Sequence, residues 1–239
     1  MTSVCYTPWK VPRVRLTKID PNCGIPLTGC STVVTDGIIS VAMTKEYEDR
    51  EEFFVKNGDG IFCVKETNAP ILKWIGLELT FCQVDPEAVN IMTAEPLVAD
   101  NADSPRNTGY STQENTTQTA SFALETWTRI SGTSTPCTGS NNIEYGYMLF
   151  PWVVEGRVGD ITFENGAVSF VVTGARTRSG SLWGTGPYFV DLSDATATLN
   201  NPISLLTPIT SLQHHRMFLT RLAPPTSACG CAPLFDLIP

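Results

Sequence analysis

A chain of 239 residues, 42% hydrophobic and 17% charged with 18 Gly and 17 Pro, has the composition of an ordinary soluble globular protein and can bury a substantial core. Its 24 acidic against 16 basic residues leave a formal net charge of −8, so the surface repels polyanions and carries no electrostatic footprint for tight DNA or RNA binding. The opening MTSVCYTPWKVPRVRLTK has no apolar run of signal-peptide length, and nowhere does the chain approach about 18 uninterrupted apolar residues; a protein made and kept in a cytoplasm is the expectation. In that compartment the eight cysteines (Cys5, Cys23, Cys30, Cys63, Cys82, Cys137, Cys229 and Cys231) are expected as thiols.

Within the first twenty positions Lys10, Arg13, Arg15 and Lys18 alternate with Val11, Val14, Leu16 and Ile19, the pattern of a polar strand or arm face rather than of a nucleic-acid patch. An N-terminal arm over about 1–30 is expected, with strand signals dominating from about residue 31. GIISVAMT (37–44) sets Ile39, Val41 and Met43 on one face, and ILKWIGLELTFC (71–82) sets Ile75, Leu77, Leu79 and Phe81 on one face, both with the two-residue period of a half-buried strand. Between them, KEYEDREEFFVKNGDG (45–60) is dense in charge, carries Phe53, Phe54 and Val55, and turns at Asn57-Gly58-Asp59-Gly60. A charged excursion tipped with exposed aromatics invites a partner.

VDPEAVNIMTAEP (84–96) predicts the one helix. Asp85 is its N-cap, Pro86 its first residue and Glu87 the acid of its first turn; Ala88, Ile91 and Met92 follow at helical spacing, and Pro96 ends it. Residues 99–119 and 131–142 read as long exposed loops. TQTASFALETWTRI (117–130) and NIEYGYMLFPWVVE (142–155) read as strands, and Pro151 predicts a bulge or a strand end. In DITFENGAVSFVV (160–172), Asn165-Gly166 predicts a two-residue hairpin turn with Phe163 opposite Val168 and Ile161 opposite Phe170. SGSLWGTGPY (179–188) reads as an inter-strand corner, with Leu182 and Trp183 packed under it or against a neighbour. No lysine follows its glycines, and Pro187 stands where a phosphate-binding helix would begin. A short strand is expected in PYFVDL, and a proline-punctuated C-terminal arm over about 223–239.

The search for chemistry assigns no catalytic residue, cofactor or metal. His214 and His215 are adjacent and would point to opposite faces of a strand, and no thiol sits in a recognisable catalytic setting beside either. Cys229-Gly230-Cys231, with Cys23 and Cys30, has one residue between its paired cysteines where zinc knuckles have about two to four; free thiols are the expectation. Glu46, Glu48, Asp49, Glu51 and Glu52 read as a solvated face, and the Asn57–Gly60 turn lacks the spaced ligands of a calcium loop.

Three segments in order carry a resemblance: the strand pair framing the charged excursion (TDGIISVAMTKEYEDREEFFVKNGDGIFCVKE), the strand that runs into the helix (LKWIGLELTFCQVDPEAVNIMTAEP), and ITFENGAVSFVVTGARTRSGSLWGTGPYFV. Together they resemble the major tail proteins, or tail tube proteins, of long-tailed non-contractile bacteriophages, especially those infecting actinobacteria. The resemblance covers roughly residues 13–222. It implies a mainly β, single-domain chain, a two-sheet β-sandwich or barrel-like core with one short flanking helix, and no enzymatic activity. It also implies homo-hexameric rings, stacked into a tube, that meet other tail proteins at the tube ends. Double-stranded phage DNA would pass through the lumen without specific binding. No membrane is involved, and the protein would reside in the virion tail after assembly in the host cytoplasm. Glu48, Arg50, Phe53, Phe54 and Val55 of the stacking-type loop, together with Trp183, are the candidate contacts between rings or subunits. The competing expectation is a monomeric β-sandwich binding or virion decoration module, with Trp9, Trp127 or Trp183 on a flat aromatic platform.

Overall fold

The computed structural model describes residues 7–101, 105–114, 119–131, 145–161, 168–186, 188, 204–205, 207–220 and 222–234. Its elements in chain order are β1 (Thr7–Lys18), β2 (Cys30–Thr35), β3 (Ile38–Tyr47), β4 (Glu52–Lys56), β5 (Phe62–Thr67) and β6 (Leu72–Phe81), followed by helix α1 (Pro86–Thr93). Then come β7 (Leu97–Ala99), β8 (Asn107–Tyr110), β9 (Ser121–Ser131), β10 (Tyr145–Val154), β11 (Arg157–Val158), β12 (Phe170–Thr177), β13 (Arg216–Thr220) and β14 (Ala228–Pro233). The chain is mainly β with one short helix, as its residue periodicity predicts.

Ten strands form one antiparallel sheet in the order β14-β2-β1-β9-β10-β12-β6-β3, with β11 added to β12 and β13 added to β10. β2 and β3 lie near opposite ends of that order, yet only Asp36 and Gly37 join them. Three Cα steps reach at most about 11 Å, close to the ~10 Å that separates packed sheet faces. The sheet must therefore fold back over itself. A layered core results, built from one continuous rolled sheet, where a two-sheet sandwich or a barrel-like core was expected. Val14, Leu16 and Val33 from one layer meet Leu77, Leu79, Phe81, Phe170 and Val172 from the other. At the crossing Gly37 is required by close approach, because a Cβ there would stand 2.7 Å from the Gln83 Cβ.

Pro151 marks the corner of the roll. The β9–β10 register shifts between Phe150 and Val153, and β10 changes partner there: residues 145–149 pair with β13, while Val153 and Val154 pair with Thr177 and Arg176 of β12. A proline without an N–H fits a bulge, as expected. Helix α1 closes one end of the roll with Ala88, Val89, Ile91 and Met92. The Asp85 Oδ1 accepts from the Glu87 and Ala88 amides at 2.9 and 3.4 Å, the predicted cap.

The first strand corrects the expected N-terminal arm. β1 lies inside the sheet between β2 and β9, and its Arg15 is fully buried rather than on a solvated face. Arg15 Nε donates to Glu125 Oε2 at 2.5 Å directly across the strand pair, and the Tyr147 hydroxyl donates to Glu125 Oε1 at 2.5 Å. Burial, reinforced by the Glu125 charge, pushes the Tyr147 pKa well up, so the phenol keeps the proton that it donates. Charge matched by a cross-strand partner is what lets a basic sequence enter a core.

The loop expected over 99–119 contains β8, which pairs with β7 in a small separate sheet. β11 pairs with β12 through Arg157–Thr173 and Val158–Val172, one residue out of step with the register expected from the Asn165-Gly166 turn; the turn itself lies outside the described residues. So do the expected strand in PYFVDL beyond Tyr188 and the loop at 132–142.

Candidate assembly surface

β3 is an edge strand. It pairs with β6 on one side only, and its register sets Val41 opposite Leu79 and Met43 opposite Leu77, so its apolar residues point toward the core side. No element covers that end of the roll among the described residues: Ile39 is 56% and Met43 41% exposed, and Tyr47 is exposed as well. The half-buried strand that the alternation predicts is thus missing its cover in the single subunit. An open edge with apolar side chains is a template for another chain.

From the far end of the β3–β6 ladder projects a second feature, the hairpin β4–β5. The expected excursion is an ordered arm. Asn57 makes its tip: the side-chain oxygen accepts from the Asp59 and Ile61 amides at 3.0 and 2.9 Å, and Gly60 adopts φ 78°. Phe53, Val55 and Val64 fall on one face. Phe54 and Phe62 fall on the other, 5.8 Å apart, with the Lys56 ammonium 4.6 Å from the Phe62 ring. Every residue of both strands is exposed. A lone two-stranded hairpin is marginal in water at best, and one that is apolar on both faces gains most of its stabilisation only when covered. Glu48 and Arg50 lie at its base beside Asp49, Glu51 and Glu52, all exposed and without an ion pair among the described residues. Of the candidate contact residues, five therefore cluster on this arm. Ile61, Phe62 and Val64 belong with them and were missed, although apolar alternation on both sides of NGDG is a hairpin signal.

Trp183 is placed elsewhere. It is 7% exposed and packs with Tyr188, Trp127, Tyr147 and Trp152 on the outer face of β9–β10, in a cluster that includes Leu205 and Ile209. Its ring lies 4.5 Å from that of Tyr188, and Leu182 beside it is exposed. Residues 179–186 form the expected corner, with Gly180, Gly184 and Gly186 at φ 73°, 45° and 114°. This corner covers the subunit's own sheet, so Trp183 is not an exposed contact. The flat platform expected for a binding module also fails to form from Trp183 and Trp127, which are both buried.

That cover stops at Trp152. Beyond it no element among the described residues covers the outer face of β12, β6 and β3, where a trough of about 720 Å³ is lined by Trp74, Trp152, Lys73, Arg176, Arg178 and Glu155, among others. A further hollow of about 510 Å³ shares Trp74, Glu155 and Arg176 and extends it toward β3. Arg178 stacks 4.4 Å from the Trp152 ring, Arg176 lies 5.2 Å from that of Trp74, and Arg176 is paired with Glu155. Lys73 and Arg178 have no carboxylate in ion-pair range among the described residues.

Among the described residues the cysteines depart from expectation at one point. Cys30 and Cys231 form a disulfide that ties β14 to β2, while Cys23, Cys63, Cys82 and Cys229 are free. Antiparallel pairing of two strands far apart in sequence brings the two thiols to a Cα separation of 5.2 Å, which spacing along the chain does not reveal. No group of three or more potential metal ligands occurs among the described residues. His214 Nδ1 lies 2.8 Å from Thr177 Oγ1 and His215 stacks on Phe150, so neither ring is engaged with a thiol. No family model matches the chain, and no curated protein matches it.

Proposed function

We propose that the chain is a structural subunit of a bacteriophage tail tube, assembling into homo-hexameric rings that stack into a conduit for the phage genome. One observation carries the reading: the subunit leaves uncovered, among the described residues, an apolar edge strand and the ordered arm that continues from it, apolar on both faces. Pairing of open edges around a ring removes them from solvent. The resemblance of the β3-to-β5, β6-to-α1 and 161–190 segments to tail tube proteins supplies the identity of the assembly. A net charge of −8 suits a passage for DNA, because carboxylates in the lumen repel phosphates and limit sticking.

In this role the chain performs no covalent chemistry. Its work is to close a ring, to register one ring on the next through the arm, and to present a surface past which a polyanion slides. Electron microscopy of the purified protein tests this reading, with six-fold rings or hollow tubes expected. A monodisperse monomer at high concentration contradicts it.

A further inference from the structure

We infer that the β4–β5 arm of one copy seats in the Trp74 trough of the next copy, its apolar face on Trp74 and its acidic base against Lys73 and Arg178. This inference rests on the self-assembly reading above and deepens it by naming both halves of one contact.

The two surfaces lack complementary things. At the arm's base four carboxylates, Glu48, Asp49, Glu51 and Glu52, surround a single guanidinium, Arg50, with no ion pair among the described residues. The trough holds two cations without a carboxylate partner among the described residues and the half-buried Trp74, while Trp152 beneath it is buried under Arg178. Its volume, about 720 Å³, is in the range that accommodates whole organic ligands. The subunit's own arm does not fill it, because every arm residue is exposed.

A membrane is the poorer occupant for the arm. Its tip is the polar Asn57-Gly58-Asp59-Gly60 turn, its base is acidic, and an anionic lipid surface repels both. A second copy offers apolar cover and opposite charge together. Arm and trough are different patches of one chain, so the contact is heterologous: each copy gives an arm to one neighbour and takes one from another, and the chain of contacts propagates until it closes. Opposite charges at the rim of such a contact speed encounter and set its register.

The test uses the full chain. Lys73→Glu with Arg178→Glu reverses the trough, and Glu48→Lys with Glu51→Lys reverses the arm. Each variant alone is expected to associate at least about tenfold more weakly than wild type by sedimentation; mixed one to one, the two should recover association through matched contacts. Phe54→benzoylphenylalanine, irradiated in a mixture of isotopically light and heavy copies, is expected to give inter-copy adducts on peptides holding Trp74 or residues 176–179. The photo-cross-link decides the matter even where a charge reversal unfolds the chain. If rings or tubes form while the trough variant associates as wild type does, or the adducts fall elsewhere, the docking is wrong and the tube reading stands. A wild-type chain that stays monomeric removes the tube reading itself, and this contact with it.

Discussion

Reducing the Cys30–Cys231 disulfide is expected to destabilise the isolated subunit strongly. The bond closes a loop with a sequence separation of 201, nearly the whole chain. Chain entropy for such a loop corresponds to about 5 kcal/mol of restriction lifted from the unfolded state on reduction, an upper bound for the effect. At roughly 2–4 °C per kcal/mol for a chain of this size, the melting temperature falls by as much as about 10–20 °C. The native state has little to compensate. β14 meets β2 at only Ala228–Val34, Ala232–Thr32 and Pro233–Cys30, with a register shift at each step, and its Gly230 amide donates to Asp85 Oδ2 at 2.8 Å. Calorimetry of oxidised protein, reduced protein and Cys231→Ser measures this, with thiol titration alongside. The oxidised form should show two fewer reactive thiols than the reduced form, and the reduced form should melt with Cys231→Ser. Equal melting temperatures with equal thiol counts would refute the pairing.

Three other outcomes follow from the packing. Glu125→Ala leaves Arg15 charged and buried beside Tyr147, and is expected to cost about 3–5 kcal/mol in chemical denaturation, whereas replacing both members with apolar residues of similar volume should cost far less. Asp85→Ala removes the helix cap and the acceptor of the Gly230 amide together, so a loss of about 1–3 kcal/mol is expected, with faster hydrogen exchange at Ala88 and Gly230. Burial holds the His214 and His215 pKa values below the usual 6.5, with His215 adding to the shift at His214 and Lys45 to that at His215. The unfolded chain then binds more protons, so stability is complete above about pH 6.5 and declines as pH falls through and below that value. Melting curves from pH 8 to 5 should show the decline, and His214→Asn with His215→Asn should flatten it.

Local rules read much of this fold directly. The β6 alternation, the Asp85 cap with Pro86, and the Pro151 bulge each depend on neighbours within a few residues, and each appears where its signal lies. What stayed hidden depends on distant partners. β1 looks like a charged arm until Glu125, 110 residues away, neutralises Arg15. The disulfide joins residues that only the β2–β14 pairing brings together. At the candidate surface, Phe53, Phe54 and Val55 were legible as exposed aromatics on a charged excursion, and β5 supplied the other half. For Trp183 the sequence left two placements, under the corner or against a neighbour, and the corner's glycines turn the chain so that it packs on the subunit's own sheet. The trough was invisible in sequence, since Trp74, Trp152 and Arg178 meet only across the β6–β12–β10 ladder.

The central claim is self-assembly through the uncovered end of the subunit. Negative-stain electron microscopy of the purified wild-type chain at high concentration tests it most directly. Six-fold rings or long hollow tubes are the predicted images; a field of uniform single subunits would contradict the account.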